Sequence, residues 1–182
     1  RALQQRFSHA TDLCAEAVHR ARVTAARRGW TDGFAVAARI REYALATVQG
    51  RSPTECEALR ESATSAVANL AHAPKAVRSI LEQRLAAVAA GTVNPDVAAN
   101  EAALRLLCIR AELISGAPTP PEDLELRREY QMRRLVESMG QGERVTPAAL
   151  DDLALEWIAI GPVEPAVHDA LLARFERCRT AR

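Results

Sequence analysis

The feature that most constrains this 182-residue sequence is a repeated order of residues that start and stop helices. A cap residue is followed by proline, then by apolar residues three and four apart, and then by glycine. Ser52-Pro53-Thr54-Glu55 is the clearest start, because a serine cap followed three residues later by glutamate forms a capping box. Thr119-Pro120-Pro121-Glu122 repeats that pattern. Strand-like alternation is absent, so the sequence predicts an all-α fold of about eight helices.

The connections between the predicted helices are short, which favours antiparallel hairpins in a bundle or a short helical array. The composition at 140–147 predicts a hinge between a helical body, 1–140, and a C-terminal hairpin, 141–182. RALQQRFSHA at 1–10 resembles DALLARFERC at 169–178, which indicates a repeated unit. Because the first copy begins in mid-unit and without a methionine, we expect the chain to be a piece of a longer protein.

The first helix is predicted over residues 2–28, with Gly29 and Gly33 ending it and a second helix near 33–49. Small and apolar residues recur along the first helix at alternating steps of four and three. That spacing averages about 3.5 residues and suits close packing against another helix. The residues of this seam are Leu3, Phe7, Ala10, Cys14, Ala17, Ala21 and Thr24.

Charge is nearly balanced, with 24 basic and 23 acidic residues and a net charge of +1. The whole chain therefore has no strong field for nucleic acid or membrane, and any such contact depends on local clusters. Arginines on a helix also complement its dipole and pair with acids one turn away, as Glu129 and Arg133 do. The candidate nucleic-acid contacts are Arg20, Arg22, Arg27 and Arg28 of the first helix and Arg127 and Arg134 of the sixth.

Residue types that often carry chemistry form no recognisable motif. The cysteines are far apart in apolar helical contexts, and we predict buried thiols rather than disulfides or ligands. They are Cys14, Cys56, Cys108 and Cys178. The histidines match no metal or catalytic spacing, so we predict surface or cap-adjacent positions. They are His9, His19, His72 and His168. We therefore expect no enzyme, no cofactor and no metal.

The two tryptophans lead to different expectations. Trp157 precedes the Gly161-Pro162 corner and is predicted to lock two helices together in the core. Trp30 lies between Gly29 and Gly33, where a turn is predicted. Trp30 is therefore the candidate residue for contact with a protein partner, since tryptophan is enriched at binding hot spots.

Residues 106–142 and 153–178 resemble the bacterial family known as domain of unknown function 349. The resemblance depends on Trp157, Gly161-Pro162 and Arg174-Phe175, which follow the family's pattern of a tryptophan, a Gly-Pro corner and Leu-x-x-Arg-Phe. Members are long, repetitive, helical cytoplasmic proteins. The resemblance therefore implies a helical repeat and a cytoplasmic location, and it supplies no catalytic residues.

These features favour a non-enzymatic helical scaffold that presents its faces for protein–protein interaction. The alternative is an RNA- or ribosome-associated factor that uses Arg-rich helix faces. Aromatic residues make up only 4% of the chain, which is few for stacking on bases.

No signal peptide and no run of about 18 apolar residues is present, so we expect a cytoplasmic protein without a membrane partner.

Overall fold

Helices account for the regular structure of this chain in a computed structural model. The structure describes the backbone of residues 2–137 and 148–180 and the side chains of residues 13–136 and 149–180. Over those residues it contains seven α-helices and no strand, which confirms the all-α prediction. They are α1 Ala2–Val48, α2 Pro53–Ala68, α3 Lys75–Ala89, α4 Val97–Ser115, α5 Leu124–Glu137, α6 Ala148–Ala159 and α7 Pro165–Thr180, with a short 3-10 helix, Pro121–Asp123, before α5.

Helix α1 continues through Gly29 and Gly33, where the sequence predicted a break, and so joins the first two predicted helices into one. Both glycines lie where another part of the chain approaches closely. A Cβ atom on Gly29 would lie 2.2 Å from the carbonyl oxygen of His72, and one on Gly33 would lie 2.7 Å from Cγ1 of Val77. The missing side chains therefore let α1 pack against the α2–α3 connection and against α3.

The two predicted capping boxes have different outcomes. At the start of α2 the Ser52 hydroxyl accepts a hydrogen bond from the Glu55 amide at 3.3 Å. In return, the Ser52 amide donates a hydrogen bond to the Glu55 carboxylate at 3.2 Å. The box predicted at 119–122 is wrong, because the Thr119 hydroxyl donates to buried Glu112 at 2.6 Å. The chain there enters α5 through the 3-10 turn after Pro120.

The core lies between the second half of α1 and helices α2, α3, α4, α6 and α7, with α4 packed against α6 and α7. Trp157 is fully buried at its centre and stacks on Phe175 with ring centroids 4.8 Å apart. Phe34 from α1 meets Phe175 edge to face at 6.3 Å. These three rings join α1, α6 and α7.

The predicted hinge at 140–147, with the helix start expected at Thr146-Pro147, lies outside the described residues. Before it, α1 to α4 contribute buried residues to the core. After it, α6 and α7 contribute to the same cluster. The helices on both sides of the predicted hinge thus share one core.

Candidate functional site

The first half of α1 extends away from the core as a single helix. Every side chain from Leu13 to Arg28 is exposed, on all faces of the helix, whereas Gly29 is buried and Trp30 is half-buried. Three of these exposed side chains are large and apolar: Leu13, Val18 and Val23 are 50%, 51% and 40% exposed. We call residues 13–28 the arm.

The seam predicted from the sequence lies along the arm without a covering helix. Its described members, Cys14, Ala17, Ala21 and Thr24, are all exposed. Leu3, Phe7 and Ala10 belong to the same helix, but their side chains are outside the described residues. The expected packing partner of this seam is therefore not supplied by the described part of the chain.

The arginines of the arm point into solvent and have few ionic partners. Arg20 and Arg28 each lie 4.0 Å from an acid one turn away, Glu16 and Asp32 respectively. Pairs this long and this exposed contribute little to stability. Arg22 and Arg27 form no ion pair with any residue that the structure describes. The arm therefore combines an apolar seam with a basic surface.

Trp30 lies inside α1, so the turn predicted around it is wrong. Its ring is half-buried, with Phe34 at 6.2 Å and the Arg179 guanidinium 4.6 Å above its centroid. Arg179 also pairs with Asp151 at 3.0 Å, which holds α7 to α6. Trp30 thus marks the point where the arm joins the core, and Arg179 covers part of its face.

Arg127 and Arg134 lie on α5, a helix that packs against α4 and the 3-10 turn. Arg127 donates to the Thr119 hydroxyl at 2.7 Å, while Arg134 is exposed. The second half of α5 exposes Met132 and Val136, at 63% and 71%. These two arginines belong to a different element from the arm and share their helix with acids such as Glu125.

The residues of the family-like motif lie in the core, and Arg174 binds two buried carboxylates there. Its Nε donates to Glu112 at 2.6 Å, its Nη2 to the same carboxylate at 3.1 Å, and its Nη1 to Asp123. Burial acts to lower the pKa of Arg174, but the bonds to Glu112 and Asp123 outweigh it and raise that pKa. Arg174 thus joins α7 to α4 and to the 3-10 helix that precedes α5.

Two arginines that were not among the predicted site residues bind the end of α6. Arg41 donates from Nε to the Ile160 carbonyl at 3.2 Å and from Nη2 to the Trp157 carbonyl, and Arg84 donates to Ile160 at 3.4 Å. Burial and the neighbouring Arg84 lower the pKa of Arg41 to about 9. The carbonyls are the negative end of the α6 dipole, which favours cations there.

Gly161-Pro162 is a corner in close contact with α4. Asn100 donates from Nδ2 to the Pro162 carbonyl at 3.0 Å. A Cβ on Gly161 would lie 2.5 Å from that same nitrogen, so a side chain at this position would displace Asn100. The buried Pro162 carbonyl of this corner thus receives its hydrogen bond from the side-chain amide of Asn100.

His168 is buried, which corrects the prediction of a surface or cap-adjacent histidine. Its Nε2 lies 3.0 Å from Nη1 of Arg41, and its Nδ1 lies 3.2 Å from the Asp169 carboxylate. Since Arg41 is a donor, Nε2 must accept and Nδ1 must carry the proton. Burial, followed by the charge on Arg41, lowers the pKa of His168. Both ring nitrogens are engaged in structural bonds.

The cysteines are divided between core and surface. Cys108 and Cys178 are buried, and burial raises the pKa of Cys108 to about 12 and also raises that of Cys178. The prediction is wrong for Cys14, which is exposed on the arm because no helix in the described residues covers the seam. Cys56 is half-buried against the core. Among the side chains described, no three His, Cys, Asp or Glu residues are grouped to hold a metal ion.

Comparison with known proteins returns no match, whether with family models, curated proteins or solved structures. The resemblance to domain of unknown function 349 therefore stays a prediction. No helix in the described parts of the chain has the length and apolar character needed to cross a membrane.

Proposed function

We propose that this protein is a non-enzymatic, cytoplasmic helical scaffold that binds a protein partner through the arm. The single observation that supports the proposal is the uncovered seam: Cys14, Ala17 and Ala21 are exposed on a helix whose other half is buried in the core. The core fixes the arm's starting direction and leaves its apolar side chains for a partner to cover.

The energetics of a lone helix support the same proposal. A helix without tertiary contacts is marginally stable in water, because packing of an apolar face provides most of the stability. Leu13 and Val18 are each about half exposed, so a partner that covers them removes apolar surface from water. Binding would thus stabilise the arm as well as the complex.

The second candidate function is RNA binding, and the charges of the arm favour it. Between residues 13 and 28 there are four arginines and a single acid, Glu16. Contacts of that kind with phosphates give an affinity that falls steeply with salt. The seam favours a protein instead, because an apolar stripe gains nothing from a phosphate backbone.

Two pairs of substitutions on the arm separate the candidates. The immobilised chain is used to capture partners from an extract of its source cells, with and without nuclease. Ala17→Asp with Ala21→Asp places charge on the seam, and Arg22→Ala with Arg27→Ala removes charge beside it. All four positions are exposed, so neither pair should disturb the core.

For a protein partner we expect nuclease-resistant capture that the seam pair abolishes and the arginine pair retains. Capture that nuclease removes, that salt weakens and that only the arginine pair abolishes would favour RNA and contradict the scaffold. Equal capture by all variants would contradict any role for the arm.

A further inference from the structure

The seam stays open to solvent beyond the point where α1 enters the core. Its alternating steps of four and three lead from Thr24 through Arg28 to Thr31 and Ala35, and all three are exposed. Phe34, on another face of the same turns, is buried at 1% exposure. The core thus packs on a different side of α1 and leaves the line of residues 14–35 uncovered.

The spacing of the seam is the spacing of a coiled coil. In the heptad letters a to g, Cys14 and Ala21 occupy a positions and Ala17 and Thr24 occupy d positions. Two helices with apolar a and d residues wind around each other along such a stripe. Small side chains allow the two helices to approach closely. A helix with this spacing is present in every copy of the chain.

We propose that α1 pairs along this seam with α1 of a second copy, the two helices running parallel and in register. This inference rests on the proposed function, since it names the partner that covers the arm.

The residues beside the seam select the parallel arrangement. In a parallel pair, a g residue of one helix lies beside the e residue five positions later in the other. Leu13 of one copy then contacts Val18 of the other. These two residues are the most exposed large apolar residues of the arm. Arg27 likewise meets Asp32. In an antiparallel pair, g positions face each other and Arg20 and Arg27 would repel.

Arg28 occupies an a position, where two copies of it approach each other. A single charged a residue weakens a coiled coil but fixes its register and number of strands. Asp32 lies 4.0 Å from Arg28 in the same helix and reduces the repulsion. With a seam of small side chains and one such arginine, we expect a reversible dimer that dissociates on dilution.

Cys14 supplies a direct test, because parallel register places the two Cys14 side chains face to face. The chain carrying Cys56→Ser, which removes the half-buried thiol, is treated with diamide; Cys108 and Cys178 are buried. The diamide takes two electrons and two protons from the paired thiols as the disulfide forms. We expect a covalent dimer on a non-reducing gel.

Matched controls place a cysteine elsewhere on the arm of the chain that carries Cys14→Ser and Cys56→Ser. Ala17→Cys, at a d position, should cross-link as Cys14 does. Glu16→Cys, at an outer c position, should not. Cross-linking of Glu16→Cys at the rate of Cys14 would overturn the proposal, because it would reflect random collision.

Analytical ultracentrifugation measures the same self-association without cross-linking. We expect a dimer that dissociates on dilution, and a monomer for Ala21→Asp at matched concentration. A chain that stays monomeric up to millimolar concentration overturns self-pairing. The proposed function is tested independently of self-pairing. It is contradicted if the seam pair, Ala17→Asp with Ala21→Asp, leaves nuclease-resistant capture of a protein unchanged.

Discussion

Arg41 and Arg174 are both buried, and their surroundings decide what each contributes. Arg174 has two carboxylates, Glu112 and Asp123, so its charge is matched inside the core. Arg41 has carbonyl oxygens and a neutral imidazole as partners, and burial, followed by the charge on nearby Arg84, lowers its pKa. The first arginine joins elements through ion pairs, and the second completes the end of a helix.

Replacing Arg174 with methionine should destabilise the protein strongly. The change leaves buried Glu112 without a cation and leaves Asp123 with only Arg105, at 3.5 Å. Breaking a buried pair in this way costs about 3–5 kcal/mol. Urea unfolding followed by tryptophan fluorescence measures the loss. Arg60→Met removes an exposed pair with Glu57 and serves as the control, with little change expected. Similar losses for the two variants would contradict the buried network.

His168 should make the protein less stable in mild acid. Its folded pKa lies below the usual 6.5, so the unfolded chain binds the proton more readily. Stability is therefore unaffected above about pH 6.5 and falls as the pH drops from there through the folded pKa. Each pKa unit of difference is worth about 1.4 kcal/mol.

The control for this effect is His168→Gln, which keeps an acceptor for Arg41 without titrating. Urea unfolding at pH 7.5 and 5.5 should show that the wild type loses more free energy of unfolding than the variant. Equal losses would show that His168 does not titrate between the two conditions.

Residues differ in how well the sequence predicts their burial and contacts. Trp157 beside a Gly-Pro corner suggests a core anchor, because large rings are costly to expose. Arg41 could have been noticed, since it lies four residues after Ala37 and four before Leu45, both buried. Its acceptors, however, come from α6, and one sequence does not reveal contacts between such distant segments.

At the scale of elements, the length of α1 follows from contacts that local sequence does not contain. Glycine disfavours a helix interior, so Gly29 and Gly33 together predict a break. The gain from packing against α3 and its preceding loop outweighs that preference. Ser52 was predictable as a cap because its partner in both hydrogen bonds, Glu55, lies only three residues away. Thr119 was not, because buried Glu112 competes for its hydroxyl.

Gly29→Ala should destabilise the protein, although alanine is the better helix former. The added Cβ meets a backbone oxygen, which moves only if the loop moves, and overpacking of this kind costs about 1–3 kcal/mol. Gly33→Ala meets the side chain of buried Val77 rather than backbone, so it should also destabilise the protein, but by less than Gly29→Ala. Thermal unfolding of both variants tests the order. A stabilised Gly29→Ala would contradict the close approach.

At the scale of the whole molecule, the core and the arm are separate contributors to stability. Every buried side chain of the described core comes from residue 34 or later, and half-buried Trp30 packs against it. The arm therefore acts on stability only through its own helix or through a partner. This division was not predictable, since the seam suggested a helix buried within the bundle.

Removing residues 1–24 should leave the core intact. We expect the free energy of unfolding, measured by tryptophan fluorescence in dilute solution, to change by less than about 0.5 kcal/mol, as for surface changes. The full chain at the same concentration is the reference. A loss above about 1 kcal/mol would contradict the separation of arm and core.

Because α1 passes from the arm into the core without interruption, any tilt of α1 near Gly29 would move the arm as one rigid helix. The segment before that residue is roughly 40 Å long at 1.5 Å per residue. A tilt of about 10° near Gly29 would displace its tip by roughly 7 Å. Small rearrangements around Trp30 and Arg179 would thus cause larger displacements at the N-terminal end of α1. Conversely, a force applied at that end would change the packing of α7.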